Sequence, residues 1–290
     1  MIEIASYRAQ SEAQAAAFTL QASGIEVRVD RRANGQAIFA LLVAADAVDQ
    51  ARTILAEETR RSQQPQREPA PTAVPLYWVV GLLVVNICIW ILTERFGGST
   101  ARATLLAFGA AQTAAFSAGQ YWRMLTAVFL HNGLGHLLGN SVGLLLFGAL
   151  AQNACGPGVF YAAYLSSGIF GNLVSNSFGS PSAVRVGASG AIFGALGIIA
   201  GKRIRQLRSG EQSRFSVWHV FAMLIAYYGF VVGASRQTDH AAHLGGLCAG
   251  LVWGIALPST RPRARWQLIA GSSAALAFLG AFAIAIVDAI

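Results

Sequence analysis

Four polar side chains in the apolar part of this 290-residue sequence are of types that together carry out nucleophilic acyl transfer. Ser189 stands in Gly187-Ala188-Ser189-Gly190 at the head of an apolar run, where a helix start leaves backbone N–H groups unpaired and the positive end of its dipole close by. That setting stabilises an oxyanion forming beside the hydroxyl. The hydroxyl needs a base, and the neutral imidazole of His243 is one at neutral pH. His136 and Asn140 lie at i and i+4, hence on one helix face, and both offer N–H donors to a developing negative charge. An unpaired polar group in hydrocarbon is costly, so the few kept in apolar runs are candidates for function.

A third member for a triad is hard to find. Only four acids follow position 75, namely Glu94, Glu211, Asp239 and Asp288. Asp239 lies at i−4 from His243 but reads as the N-cap of the helix that carries it. The expectation is therefore a Ser-His dyad, with Ser189 as nucleophile, His243 as general base, and His136 and Asn140 as oxyanion donors. Gly187-Ala188-Ser189-Gly190-Ala191 lacks the last Gly of a Gly-x-Ser-x-Gly elbow and no strand precedes it, which excludes an α/β-hydrolase. For the imidazole to reach the hydroxyl, their helices must touch. Small residues at helical spacing allow that: Gly190 and Gly194 on one run, Gly246, Gly250 and Gly254 on the other.

The elements that must hold these residues follow from composition. The chain is 54% hydrophobic and 12% charged, with a mean hydropathy of +0.51. Charge is uneven: residues 1–70 hold eight basic and nine acidic residues, and the remainder holds thirteen basic and four acidic. This describes a small soluble head on a membrane body. Apolar runs at about 76–93, 136–154, 158–176, 188–204, 215–233, 241–257 and 266–290 suggest seven spans. The stretch 102–130 reads as a partly helical interfacial loop. Clusters at Lys202, Arg203, Arg205, Arg208 and Arg214, and at Arg261, Arg263 and Arg265, assign their loops to the cytoplasmic side. The head then lies on that side too, and Ser189, His243, His136 and Asn140 share one shallow depth near the opposite surface. Basic residues in short loops are topological signals, so a nucleic-acid partner is not expected. The first long apolar run begins too late for a cleaved signal peptide.

The head reads as βαββα: strands at 1–6, 25–29 and 37–43, a helix ending at Gly24 with a Ser11/Gln14 capping box, an Asn34-Gly35 turn, and a second helix at 45–58. That order resembles ferredoxin-like modules. Residues 62–75 have the Pro and Gln content of a linker. Expected domains are 1–60, a linker at 61–75, a six-helix core at 76–257, and a loop with a further helix at 258–290. Cys88, Cys155 and Cys248 show no ligand spacing and read as apolar fillers.

These motifs resemble the rhomboid family of intramembrane serine proteases. The likeness rests on Gly187-Ala188-Ser189-Gly190, on His131-x4-His136-x3-Asn140, on Trp122-Arg123, and on Ala242-His243-Leu244-Gly245-Gly246-x3-Gly250, in order along 76–257. It implies an all-α polytopic membrane protein, a six-helix bundle plus a seventh C-terminal helix, beside the α+β head. It also implies peptide hydrolysis of transmembrane protein substrates in the bilayer without metal or cofactor, in a bacterial plasma membrane, with lateral entry beside the 234–239 loop. Phe193 stands where many bacterial relatives carry a Tyr that stacks on the histidine, and the seventh helix carries no motif. Alternatives remain. His131, His136, His240 and His243 would suggest a metal centre, but His131 and His240 read as interfacial. A transporter would show repeats and charges at mid-depth.

Overall fold

A computed structural model of the chain describes residues 1–34, 36–63, 75–178, 180, 182–210, 216–234, 238–258 and 260–289. Gly35 of the expected turn, most of the expected linker, Arg214 and half of the 234–239 loop lie outside them. The chain forms two compact units, Met1–Thr72 and Ala73–Ile290.

The first unit contains β1 (Ile2–Tyr7), α1 (Gln10–Ala22), β2 (Val27–Asn34), β3 (Gln36–Val43) and α2 (Val48–Gln63). The strands form an antiparallel sheet in the order β1-β3-β2. Alternation turns Leu41 and Val43 to one face, where they meet Ala13, Ala16, Ala17 and Leu20 of α1. Two local expectations need correcting. β2 begins at Val27 and runs on to Asn34, longer than the 25–29 alternation indicates, because β3 pairs with its polar end as well. The capping box does not form: α1 starts at Gln10 with Ala9 as N-cap and no side-chain cap bond. Ser11 is already inside the first turn, so its hydroxyl is past the position that reaches the free N–H groups.

The second unit is helical. α3 (Tyr77–Arg95) leads into short helices α4 (Arg102–Ala107), α5 (Thr113–Ser117) and α6 (Arg123–Thr126). Then come α7 (Leu134–Gly143), a π turn at Leu144–Gly148, α8 (Ala149–Cys155), α9 (Pro157–Phe178), α10 (Ser189–Ser209), α11 (Val217–Ala234), α12 (His240–Ala256) and α13 (Ala264–Ala289). Among the described residues three segments are long and apolar enough to cross a membrane: Trp78–Arg95, Leu134–Cys155 and Ala264–Asp288. That is fewer than seven because α9 and α10 are interrupted by Ser, Asn, Gly and the basic turn after Gly201, while the apolar described parts of α11 and α12 are shorter. α9 and α10 are instead the buried centre, with Tyr164, Phe160 and Phe193 almost fully enclosed. Leu268, Leu276 and Val287 of α13 point outward, each about 70% exposed, as lipid-facing residues do. Cys155 is a buried filler, whereas Cys88 and Cys248 lie on exposed faces.

α10 and α12 form the most extensive helix pair. A Cβ on Gly246 would lie 1.9 Å from the Gly190 carbonyl oxygen, and one on Gly250 would lie 1.9 Å from that of Gly194. The stripe continues through Gly254 against Ile198, and through Gly197 and Gly201 against the backbone of α12. Backbone touches backbone along this seam, which only glycine permits.

Candidate active site

Ser189 is the first residue of α10. The chain reaches it along a segment held by paired backbone bonds between Ala111 and Arg185, 3.0 and 2.9 Å, and by the Gly187 N–H to the Ala127 carbonyl at 2.9 Å. Gly187 has φ of +126°, and a Cβ there would stand 2.6 Å from His136 Cε1 and 2.7 Å from Nε2. Both the backbone and the neighbouring imidazole therefore require glycine at this bend.

His243 sits in the first turn of α12, 4% exposed, with Nε2 at 2.9 Å from Ser189 Oγ. Phe193, one turn beyond Ser189, stacks on the imidazole with centroids 4.4 Å apart and planes at 21°. Asp239 caps α12, its Oδ1 accepting from the Ala242 N–H at 2.9 Å. Its Oδ2 accepts from the Ser175 hydroxyl at 2.5 Å, and Ser175 Oγ accepts from Arg185 Nε at 2.8 Å. Both carboxylate oxygens are thus engaged away from the imidazole. His243 Nδ1 is buried with no hydrogen-bond partner among the described residues. A neutral ring that accepts from Ser189 at Nε2 carries its proton at Nδ1.

His136 and Asn140 lie side by side against Gly187: a Cβ there would also be 3.5 Å from Asn140 Nδ2. His136 Nδ1 accepts from the Asn132 N–H at 3.3 Å. Asn140 is 5% exposed and its Nδ2 has no partner among the described residues, a buried donor against Gly187, two residues before Ser189. All four expected residues thus meet at one end of the bundle, and the Gly190, Gly194, Gly246 and Gly250 seam runs directly beneath them.

One expectation fails here. His131 is not interfacial but 1% exposed, edge-on to His136 at 5.4 Å, because the turn after Phe129 folds under the start of α7. His240 is at the surface, its Nδ1 2.7 Å from the Tyr228 hydroxyl. Among the described residues no three His, Cys, Asp or Glu side chains stand close enough to hold a metal ion.

Sequence reasoning missed Arg185 and Ser175. Arg185 is 6% exposed and links the segment before Ser189, through Ser175 of α9, to the cap of the helix carrying His243. The available signal was a lone basic residue four positions before the serine. The seventh helix packs on the bundle, and Asp288 Oδ2, which accepts from Trp122 Nε1 at 3.2 Å, ties α13 to the first loop. Removing the cap should be measurable: Asp239→Ala is expected to lower stability by about 1–2 kcal/mol, with Asp239→Asn losing less because it keeps an acceptor for Ala242. Thermal unfolding followed by circular dichroism in detergent checks this.

Buried helices around a serine–histidine contact, near one end of an apolar bundle, define a polytopic helical membrane protein with a candidate hydrolytic site. Residues 118–260 match the Rhomboid domain model. The chain is 35% identical over 176 residues to rhomboid protease GluP of Bacillus subtilis, covering 60% of this chain and 34% of that one. It is 34% identical over 137 residues to the putative rhomboid protease YdcA of the same organism, 46% of this chain and 66% of that one. It is 30% identical over 178 residues to rhomboid-like protease 3 of Toxoplasma gondii, 61% of this chain and 66% of that one. The chain belongs to the rhomboid family. It spans between a third and just under two thirds of the length of these curated relatives.

Proposed function

We propose that this chain is an intramembrane serine endopeptidase that cuts peptide bonds in or near transmembrane segments of membrane proteins through a Ser189–His243 dyad. The observation that carries the reading is the 2.9 Å contact between Ser189 Oγ and His243 Nε2 at a helix start, with Asn140 Nδ2, which has no partner among the described residues, against Gly187. The names of the relatives, rhomboid proteases, point the same way.

In this reading the Ser189 hydroxyl attacks the scissile carbonyl carbon while His243 Nε2 takes its proton. The carbonyl oxygen becomes an oxyanion that accepts from Asn140 Nδ2, from His136 and from the N–H groups at the start of α10. The imidazolium then gives its proton to the leaving amine, the C–N bond breaks, and an acyl-enzyme remains on Ser189. A water, deprotonated by His243, attacks that ester; the imidazolium then returns the proton to Ser189 Oγ as the C–O bond breaks and the acid is released. Phe193 stacks on the imidazole and covers one face of it, so Phe in place of Tyr alters the tuning of the base without removing it.

The basic clusters argue for the head and the ends near Lys202 and Arg261 on the cytoplasmic side of a bacterial plasma membrane, with the dyad toward the outer surface. The domain layout follows: an α+β head over 1–60, the rhomboid core over 76–257 and an added helix after it. The direct test is labelling of the detergent-solubilised protein with a fluorophosphonate. Labelling of the parent that disappears in Ser189→Ala is expected; equal labelling of both would remove the dyad.

A further inference from the structure

At the end of the bundle opposite Ser189 and His243, three helix ends and one connection enclose a groove that the hydrolytic chemistry leaves unused. It measures about 530 Å³ and lies between the first turns of α9 and α13, the last turns of α12 and the segment that joins α12 to α13. Val159, Trp253 and Ile269 supply apolar wall; Arg261, Arg263 and Arg265 supply its polar lip. Close contact of α9 with α13 shapes it, since a Cβ on Gly158 would lie 1.8 Å from the Gln267 carbonyl oxygen.

Charge at this end is one-sided. Lys202 and Arg261 donate to the carbonyls of Ala154 and Asn153 at 2.6 and 2.8 Å, and Arg205 donates to Ile255 at 3.1 Å, satisfying helix C-termini. Arg263 and Arg265 are exposed, and no described carboxylate pairs with either. Among the described residues of the membrane unit the acids are Glu94, Asp239 and Asp288, all at the dyad end. Glu94 is in the last turn of α3, and the carbonyl of Pro75 just before that helix accepts from Gln152 at the basic end; Asp239 caps α12; Asp288 is in the last turn of α13. No described carboxylate of the membrane unit is thus placed to neutralise these guanidinium groups.

We infer that the groove binds one anionic diacyl phospholipid, its phosphate at Arg263 and Arg265 and an acyl chain along Val159, Trp253 and Ile269. The volume far exceeds that of an inorganic anion, and a soluble phosphate would leave the apolar wall wet. Trp266 is 51% exposed with the Arg265 guanidinium 5.4 Å over its ring, an arrangement suited to the headgroup level. Basic pockets between membrane helices recognise anionic headgroups by this combination of charge and apolar wall. The inference needs a membrane setting and is independent of the protease reading.

The test is native mass spectrometry of the delipidated full chain in detergent, titrated with dioleoyl phosphatidylglycerol, dioleoyl phosphatidylcholine or glycerol 3-phosphate. One phosphatidylglycerol per molecule is expected to be retained, with phosphatidylcholine much weaker and glycerol 3-phosphate unable to compete. Arg263→Gln with Arg265→Gln should weaken retention by about 30-fold, from two lost surface charges, while Arg263→Lys with Arg265→Lys retains it. Equal binding of phosphatidylcholine, competition by glycerol 3-phosphate, or undiminished retention in the Gln double variant would overturn the proposal. Should the Gln double variant not fold, brominated-chain phosphatidylglycerol is added to the parent. Quenching of tryptophan fluorescence that drops in Trp266→Phe is expected, and quenching unchanged by that substitution refutes the assignment.

Discussion

Ser189→Ala is expected to abolish cleavage of a labelled transmembrane substrate in proteoliposomes, with a loss on the order of 10⁶ in kcat, and His243→Ala to fall nearly as far. The two act as one unit: without the hydroxyl there is nothing to acylate, and without the imidazole its proton has no acceptor at Nε2. The double variant should therefore be no worse than either single one, a non-additivity that independent packing roles would not produce. Asn140→Ala should cost less, about 10²–10³ in kcat, because His136 and the helix N–H groups still face the oxyanion. Cleavage persisting in Ser189→Ala at a rate near the parent's would end the dyad reading. Unchanged helical circular dichroism in each variant separates lost chemistry from lost fold.

Gly246→Val carries the second large effect, and it acts through distance. Its Cβ alone would stand 1.9 Å from the Gly190 carbonyl oxygen, and the obstructing atom is backbone, so no rotamer change relieves the clash. α12 must move away from α10, in the turns that bear His243 and Ser189. Overpacking of this kind costs about 1–3 kcal/mol in stability. The larger consequence is at the site: lengthening the 2.9 Å Ser189–His243 contact by about 1 Å should cost on the order of 10²-fold in activity. Measured together, the variant should lose activity at temperatures where it is still folded, and fluorophosphonate labelling should slow in step. Gly229→Ala on α11, where a Cβ meets nothing within 4 Å, serves as the glycine control and should change neither.

These two predictions draw on different kinds of information. That Gly190, Gly194, Gly246 and Gly250 form packing faces was readable from spacing, since small residues one turn apart on apolar helices let backbones approach. The further contacts of Gly197 and Gly201 with α12 were not, because nothing in a local window says which neighbour a helix face meets. His131 misled for the same reason: a histidine just before a helix looks interfacial until the turn that buries it is known. The Ser11/Gln14 pattern fitted a capping box, but the helix begins two residues earlier than that motif requires.

By itself the sequence determined the class of protein, the polar residues able to do acyl transfer, and the small-residue faces that let their helices touch. Those follow from composition, period and charge, which are properties of neighbours in the chain. Tertiary structure alone decided that Nε2 of His243 faces Ser189, and that both oxygens of Asp239 are taken by Ala242 and Ser175. It likewise decided that Arg185 braces the segment before the serine, and that α13 reaches Trp122 and helps to enclose the arginine-lipped groove. Each of these is a contact between residues distant in the chain, set by how close two backbones can come, and that closeness is a property of the assembled bundle.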